Sequence, residues 1–318
     1  MLKYVLKRLA LMALTFFVIV TVCFVLVKLL PSVPAEQFGK DAALIEARRK
    51  QLGYDKPILL QYFIFLRRSL FGFDYGISET LYRGREVWGI FLSKLPATVM
   101  VNAYAALISI PLGLLFGVFA ALKKGKWQDG VISTGVTAFI SVPSYVIAFL
   151  IQYVFSYKLG WLDFVLKDGT DWWSFSMFRS ALPAVLALSF STVAGLTRFT
   201  RAELCEAKTG EYMLLAKAKG LSKGKAIARH ALRNAMVVVM PMIIGQIVGI
   251  LAGSMIIEEI FSVPGVGQLY IRSITSEIPE YNLFMLLSAF YTLVGLLAGI
   301  VVDISYGFID PRIRIGEK

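Results

Sequence analysis

The sequence predicts an all-α, polytopic integral membrane protein with six transmembrane helices and both termini on the cytoplasmic side. Three observations predict it. The 318 residues are 57% hydrophobic and only 17% charged, against about 25% charged in a soluble domain, and the mean hydropathy is +0.70. Apolar runs of membrane-crossing length recur along the chain. Basic residues gather in alternate connecting segments.

The first run, Leu9–Leu30, follows Lys3, Lys7 and Arg8 and is interrupted only by Lys28. It exceeds the roughly 7–15 apolar residues of a secretory signal, so it reads as a transmembrane helix whose Lys28 snorkels at the far end. Ala97–Leu122, Val131–Tyr157, Ala181–Thr197, Asn234–Ile257 and Leu283–Val302 carry no charge. All but the fourth reach the roughly 20 residues needed to cross the hydrocarbon; the fourth needs a thinned bilayer or a helix that extends past it.

Charge in the short loops orients these spans. With the N-terminus inside, the inner segments hold Lys3, Lys7 and Arg8, then Lys123, Lys124 and Lys126, then nine bases between residues 198 and 236, then Arg312, Arg314 and Lys318. The short outer loops hold only Lys158, Lys167, Arg179 and Arg272. That is the asymmetry expected of cytoplasmic loops. The same placement accounts for the net charge of +12 without a nucleic-acid partner. Three regions follow: an N-terminal transmembrane helix over 1–30, an extracytoplasmic subdomain over 31–96, and a five-helix core over 97–318.

In the outer segment Pro31–Pro96, Glu36–Gln51 is charged and helix-prone, and Lys56-Pro57 imposes an extended step. Ile58–Leu70 mixes apolar residues with Arg67 and Arg68 as an interfacial helix does. Gly84–Leu95 reads as a second such helix.

The segment the rest is organised around is 198–236. Its nine bases, Arg198, Arg201, Lys208, Lys217, Lys219, Lys223, Lys225, Arg229 and Arg233, exclude it from the bilayer, because each charge at mid-membrane costs roughly 2.5–3.5 kcal/mol. Glu211–Lys219 is rich in helix formers, with Thr209 as its expected N-cap. Gly220 sits where the helix closes, and Ser222 can cap a second helix that runs to about Asn234. Ala216, Ala218 and Gly220 would let another surface approach, and Tyr212 and Leu215 would give it something apolar to grip. Lys225, Arg229 and Arg233 form a basic stripe at helical spacing.

Prolines and glycines within the spans, among them Pro111, Gly113, Gly117, Pro143, Gly245, Gly249 and Gly253, permit two readings: close helix packing or helices broken around a pathway. The polar residues at depth are Asn102, Gln152, Gln246, Ser254 and Asp303; the first four are the candidate substrate pathway. No buried charge pair is visible among them, which argues against an ion-coupled carrier, where intramembrane acids mark the route. Two cysteines at different depths and a single histidine exclude a disulfide framework and a multi-histidine metal centre. No catalytic constellation is readable. Gly220–Ala226 is one residue short of a phosphate-binding loop, and Ala226 replaces the hydroxyl that would hold Mg²⁺.

Glu211-Tyr212-Met213-Leu214-Leu215-Ala216-Lys217-Ala218-Lys219-Gly220-Leu221-Ser222, followed by His230-Ala231-Leu232-Arg233-Asn234, resembles the EAA loop of ABC-transporter permeases, in the version of the peptide and nickel permease family. Leu52-Gly53-Tyr54-Asp55-Lys56-Pro57 with Gln61-Tyr62 resembles that family's first external segment, and Leu95-Pro96-Ala97-Thr98 the entry to its second span. Glu258-Glu259-Ile260-Phe261-Ser262-Val263-Pro264-Gly265-Val266-Gly267 matches its Glu-x-x-Phe-x-x-Pro-Gly-x-Gly turn, and Asp310-Pro311-Arg312 its ending. Within the family, the N-terminal sequence and Gln152-Tyr153 with Lys158-Leu159-Gly160 look most like oligopeptide permease B-type subunits. Met213-Leu214-Leu215 departs from the family's frequent Val-Arg-Thr, and Met240-Pro241 from its Pro-Val.

The resemblance implies a type I ABC importer permease in a bacterial cytoplasmic membrane. It would be paired with a second homologous permease, driven by two cytoplasmic ATPases that bind the ATP and Mg²⁺, and fed by an extracytoplasmic peptide-binding protein. The chain itself would bind no cofactor and catalyse nothing. Glu211, Tyr212, Leu215, Ala216, Lys217, Ala218, Lys219, Gly220 and Leu221 would form the coupling helix and its end. Oligopeptide is the expected cargo, with dipeptide, nickel or another peptide-like substrate as alternatives. An ion-coupled secondary carrier and a membrane-embedded enzyme are the competing classes.

Overall fold

The computed structural model describes residues 2–30 and 34–309. Pro31, the Asp310-Pro311-Arg312 ending and the bases Arg312, Arg314 and Lys318 lie outside them. The described chain is helical apart from short connections and one isolated bridge between Ile77 and Glu86.

Among the described residues, five helices have the length and composition to cross a membrane, and six spans result if one bent pair counts as one. The first is α1 (Leu2–Leu29). Only 11% of its most apolar window is buried within the protein, so its flanks are built for lipid. After α2 (Ala42–Gln51) and α3 (Ile58–Gly72) comes α4 (Val87–Leu122). The expected interfacial helix Gly84–Leu95 and the second span are therefore one helix, the first entering the second without a break.

The third apolar run is not straight. α5 (Trp127–Ser141) and α6 (Ser144–Ile151), which continues as a π-helical turn Gln152–Lys158, meet at 101°. Pro143 lacks an N–H and forces its predecessor out of the helical region, and Val142 is extended at φ −93°, ψ 126°. The fourth run sits inside α7 (Phe175–Ala207), which extends past both of its ends and removes the length problem.

The fifth run departs most from expectation. α8 (Glu211–Ala218) is followed by α9 (Lys223–Ala226), which passes through a π-helical turn, Ile227–Ala231, directly into α10 (Leu232–Gly249). No boundary falls at Asn234. The helix stops at Gly249 rather than Ile257, because Gly253 takes a left-handed φ of +67° and Ser254 starts a new helix, α11 (Met255–Ile260). α12 (Val266–Thr275) and α13 (Tyr281–Ile309) complete the chain.

The contacts divide the chain into two compact units, one centred on Met100–Ile250 and one joining Val5–Val99 to Leu251–Leu297. The outer segment packs in the same unit as the α11–α12 region.

In the first unit, α4 crosses α7 at glycine contact points. A Cβ on Gly113 would lie 2.7 Å from the Leu196 Cβ, and one on Gly117 2.6 Å from that of Thr200. The Thr197 hydroxyl donates to the Gly113 carbonyl at 3.2 Å. These two glycines serve close packing, as small residues spaced by four do in membrane helices. Asp129 on α5 is bidentate with Arg201 on α7, the second contact being 2.8 Å, and also accepts the Gly125 N–H at 3.0 Å.

In the second unit, two buried carboxylates organise the loops. Glu280, 1% exposed, accepts from the Ser78 hydroxyl at 2.8 Å, the Thr80 hydroxyl at 2.8 Å and the backbone N–H groups of Glu79, Thr80 and Leu81. Glu258, fully buried, accepts the N–H groups of Gly267 at 2.8 Å and Gln268 at 3.2 Å, at the start of α12. The Thr98 hydroxyl accepts the Val266 N–H at 2.7 Å. A Cβ on Gly265 would fall 2.3 Å from the Glu258 carboxylate, and one on Gly267 2.9 Å from it. Both glycines of the Pro-Gly-x-Gly turn are thus required by close approach, of Glu258 and Thr98 at Gly265 and of Glu258 and the Met255 backbone at Gly267. Burial pushes the Glu258 carboxyl up to about 7.

Candidate functional site

The site is the end of α7, the turn after it, α8, and the start of the α9–α10 rod. The Thr209 hydroxyl donates to the Glu206 carbonyl at 2.8 Å, so it does not cap α8. Gly210 occupies the N-cap position, without a side-chain bond, and Glu211 stands in the first turn, where a negative charge is favourable. The Tyr212 ring lies against Gly210, close enough that a Cβ there would approach it within 2.5 Å.

The C-terminus of α8 closes as a Schellman motif. Gly220 has φ +80°; its N–H bonds the Lys217 carbonyl at 2.9 Å, and the Leu221 N–H reaches the Ala216 carbonyl at 3.1 Å. Ser222 holds the N-cap position of α9 as expected, although its side chain makes no capping bond.

α8 has two distinct faces. Met213 and Ala216 are buried in a cluster with Ala121, Leu204, Ala226 and Ala235, with Tyr212 and Leu221 partly buried against it. Ala216 is therefore a packing residue of this chain, not an opening for another surface. Glu211, Leu214, Leu215, Lys217, Ala218, Lys219 and Gly220 are exposed, with Leu214 at 65% and Leu215 at 58%. Two adjacent leucines held that open at the tip of a loop form an apolar contact face rimmed by lysines. Leu214, which the sequence reading left out, belongs to that face; the signal was its spacing of three and four from Glu211 and Ala218.

The helix is fixed to its surroundings. The Lys208 ammonium donates to the Ala121 carbonyl at the end of α4, and Ala121 and Leu204 lie in the cluster under α8. A groove of about 410 Å³ runs beside Tyr212 between Glu203, Glu206 and Asn234. Lys225, Arg229 and Arg233 are all exposed on the rod that begins after Gly220.

Each of the four pathway candidates has its own local setting. Gln152 is buried and donates to the Phe164 carbonyl at 2.9 Å, bracing the loop after α6. Gln246 is exposed on α10 and donates to the Thr192 hydroxyl at 3.4 Å. Asn102 is half-buried on α4. Ser254 caps α11 by accepting the Ile257 N–H at 3.4 Å. Among the described residues no group of three His, Cys, Asp or Glu side chains is placed to hold a metal ion.

Known proteins resemble this chain along its whole length. Residues 113–315 match the family model described as binding-protein-dependent transport system inner membrane component, and residues 1–102 its N-terminal counterpart. The chain belongs to this family. It is 33% identical over 315 residues to the dipeptide transport system permease protein DppB of Lactococcus lactis subsp. cremoris, covering 99% of this chain and 100% of that one. It is 32% identical over 317 residues to the glutathione transport system permease protein GsiC of Escherichia coli K12, covering 99% of each. The fold also resembles the crystal structure of an amino acid ABC transporter with histidines, at a TM-score of 0.51 and 18% identity, over 68% of this chain and 92% of that one. As a member of the binding-protein-dependent transport family, the chain is a polytopic inner-membrane transport subunit and not an enzyme.

Its family motifs acquire physical roles here. Gln61 donates to the Tyr54 and Lys56 carbonyls at 3.0 and 2.7 Å, and the Tyr54 hydroxyl donates to Asn282 at 2.9 Å. The external motif is thereby tied to the start of the last span. Thr98 and Glu258, from two motifs far apart in sequence, meet at one turn.

Proposed function

We propose that this chain is one of two homologous permease subunits of an ATP-driven importer of oligopeptides, with its N-terminus and the 198–236 loop cytoplasmic. Two ATPase subunits would bind the nucleotide, one of them receiving α8, and an extracytoplasmic binding protein would deliver the peptide. Charge asymmetry across the short loops supports the orientation. The dipeptide and glutathione named for its relatives are both short peptides, which supports the cargo class. In this reading residues 1–30 supply the first span, 31–96 the outer elements and 97–318 the core, with six spans of type I importer form. Asn102, Gln152, Gln246 and Ser254 are the polar groups we assign to the substrate pathway.

One observation carries the reading: α8 presents Leu214 and Leu215 outward while Met213 and Ala216 anchor it inward. Movement of a seated ATPase would act on α8, and the anchored cluster would pass it to α4, α7 and the α9–α10 rod. Coupling requires such discretely packed elements.

The test is Leu215→Asp with Leu214→Asp in the co-expressed complex. Insertion of the chain should be unchanged, while copurification of the ATPases and peptide-stimulated ATP hydrolysis fall at least about tenfold, the loss of roughly one apolar anchor. Full stimulation in the double variant would overturn the docking assignment. Uptake that survives ATP depletion under a clamped membrane potential would overturn the energy source.

A further inference from the structure

A second cavity lies within the other unit. It encloses about 400 Å³ at the C-terminal end of α1, beneath α2 and α3 and beside the start of α13. Its lining combines apolar Val27, Leu30 and Ile58 with Lys28, Arg49, Tyr54 and Glu79.

The charges do not cancel. Arg49 is bidentate with Glu79 at 3.0 and 2.6 Å, so those two neutralise each other. Lys28 makes no ion pair among the described residues; its ammonium stands 3.6 Å from the centroid of the Tyr54 ring and 5.6 Å from that of Phe24. The cavity is left with one net positive charge on a strongly hydrated group facing a partly apolar space. A monovalent anion is the complementary occupant.

The surroundings say what kind of anion. Val5–Leu29 is an apolar helix of 25 residues, about 37 Å at 1.5 Å per residue. That exceeds the roughly 30 Å of hydrocarbon and brings Lys28 to the headgroup zone. Leu26 and Leu29 on α1 and Leu30 just after it are exposed, as are Ile58, Leu59 and Phe63 on α3. α3 buries Gln61 and Ser69 and packs Tyr62, Phe65 and Leu66 inward, yet leaves Ile58, Leu59 and Phe63 exposed. The cavity thus opens between apolar surfaces that suit acyl chains.

We propose that it binds the headgroup of an anionic phospholipid, with the phosphate at Lys28 and the acyl chains along α1 and α3. The lipid would wedge the end of α1 against the Arg49–Glu79 pair and hold the outer elements at a fixed depth.

The experiment uses the purified full complex in nanodiscs of mixed phosphatidylglycerol and phosphatidylcholine, with retained lipid counted by mass spectrometry. Wild type should retain phosphatidylglycerol over phosphatidylcholine. Lys28→Gln should lower that preference about fivefold, the effect of one lysine near an anionic surface, and Lys28→Arg should preserve it. Photoactivatable phosphatidylglycerol on the wild-type complex should label peptides containing Val27–Leu30 or Tyr54–Gln61, a readout that does not depend on any variant folding. Equal preference in Lys28→Gln, or absence of label at those peptides, overturns the proposal. Displacement of the label by inorganic phosphate or by an acidic peptide at equal concentration also overturns it, because the site would then serve a soluble anion.

Discussion

The Glu258 carboxylate accepts the Gly267 N–H at 2.8 Å in a position that leaves no room for a side chain at Gly265. An acid has been buried at the start of α12, and the turn between them has been cleared of Cβ atoms to admit it. Gly267→Ala would bring a methyl within 2.9 Å of both that oxygen and the Met255 Cα. The expected loss is about 1–3 kcal/mol, the usual range for overpacking, read as a lower thermal midpoint in detergent. Gly224→Ala, with nothing within 4 Å, is the control and should not lower it.

Glu258 also sets a pH dependence. Its folded pKa is raised to about 7 from 4.5, so between these values the folded chain holds a proton that the unfolded chain has lost. Stability should therefore fall as pH rises from about 4.5 to about 7 and level off above, by up to roughly 3 kcal/mol. Glu258→Gln should flatten this slope. Thermal melts of both forms at pH 5, 6, 7 and 8 check it, and identical slopes would refute it.

Glu280 should be among the least replaceable residues of its unit. Glu280→Ala strands five donors from Ser78, Glu79, Thr80 and Leu81, and each unsatisfied buried donor costs about 1–3 kcal/mol. The measurable outcome is proteolytic cleavage within 76–86 in isolated membranes, which the wild type resists.

Asp129 and Arg201 join α5 to α7 just where the 198–236 segment begins. Their side chains are 6% and 31% exposed, so removing either should cost about 1.5–3 kcal/mol, and removing both less than the sum. A double-mutant cycle with Asp129→Asn and Arg201→Gln measures the coupling; additive losses would mean the pair contributes nothing as a pair.

At the end of α8, Gly220→Ala places a Cβ on a residue at φ +80°, a cost of about 1 kcal/mol. Space is open there, with nothing within 4 Å, so the loss is conformational and not steric. A bulky Ala216→Leu should instead disrupt the buried cluster beneath the helix. In the assembled complex the first should reduce stimulated ATP hydrolysis with normal expression, and the second should reduce expression itself.

Much of this was legible from the chain alone, because the signals are local. Charge-free runs mark the spans, and Gly220 marks the end of α8. The failures share a cause. Which face of α8 is covered depends on Ala121 and Leu204, so Ala216 read as accessible when it is buried. Glu280 meets partners some 200 residues earlier in sequence, and nothing around it announces an anion cradle. Pro143 was visible as a possible break, but not the 101° turn there. The stop at Gly249 was hidden because Ile250, Leu251 and Ala252 are as apolar as the helix before them.

The rod from Lys223 to Gly249 is continuous, with two interruptions of its hydrogen-bond ladder, a widened turn at Ile227–Ala231 and Pro241 inside α10. It spans 27 residues, or about 40 Å at the helical rise. A nudge of an ångström delivered beside Gly220 travels along that axis to the opposite tip, as a crowbar moved at its handle lifts at its claw, with the softened turn and Pro241 as the places where the stroke can be blunted.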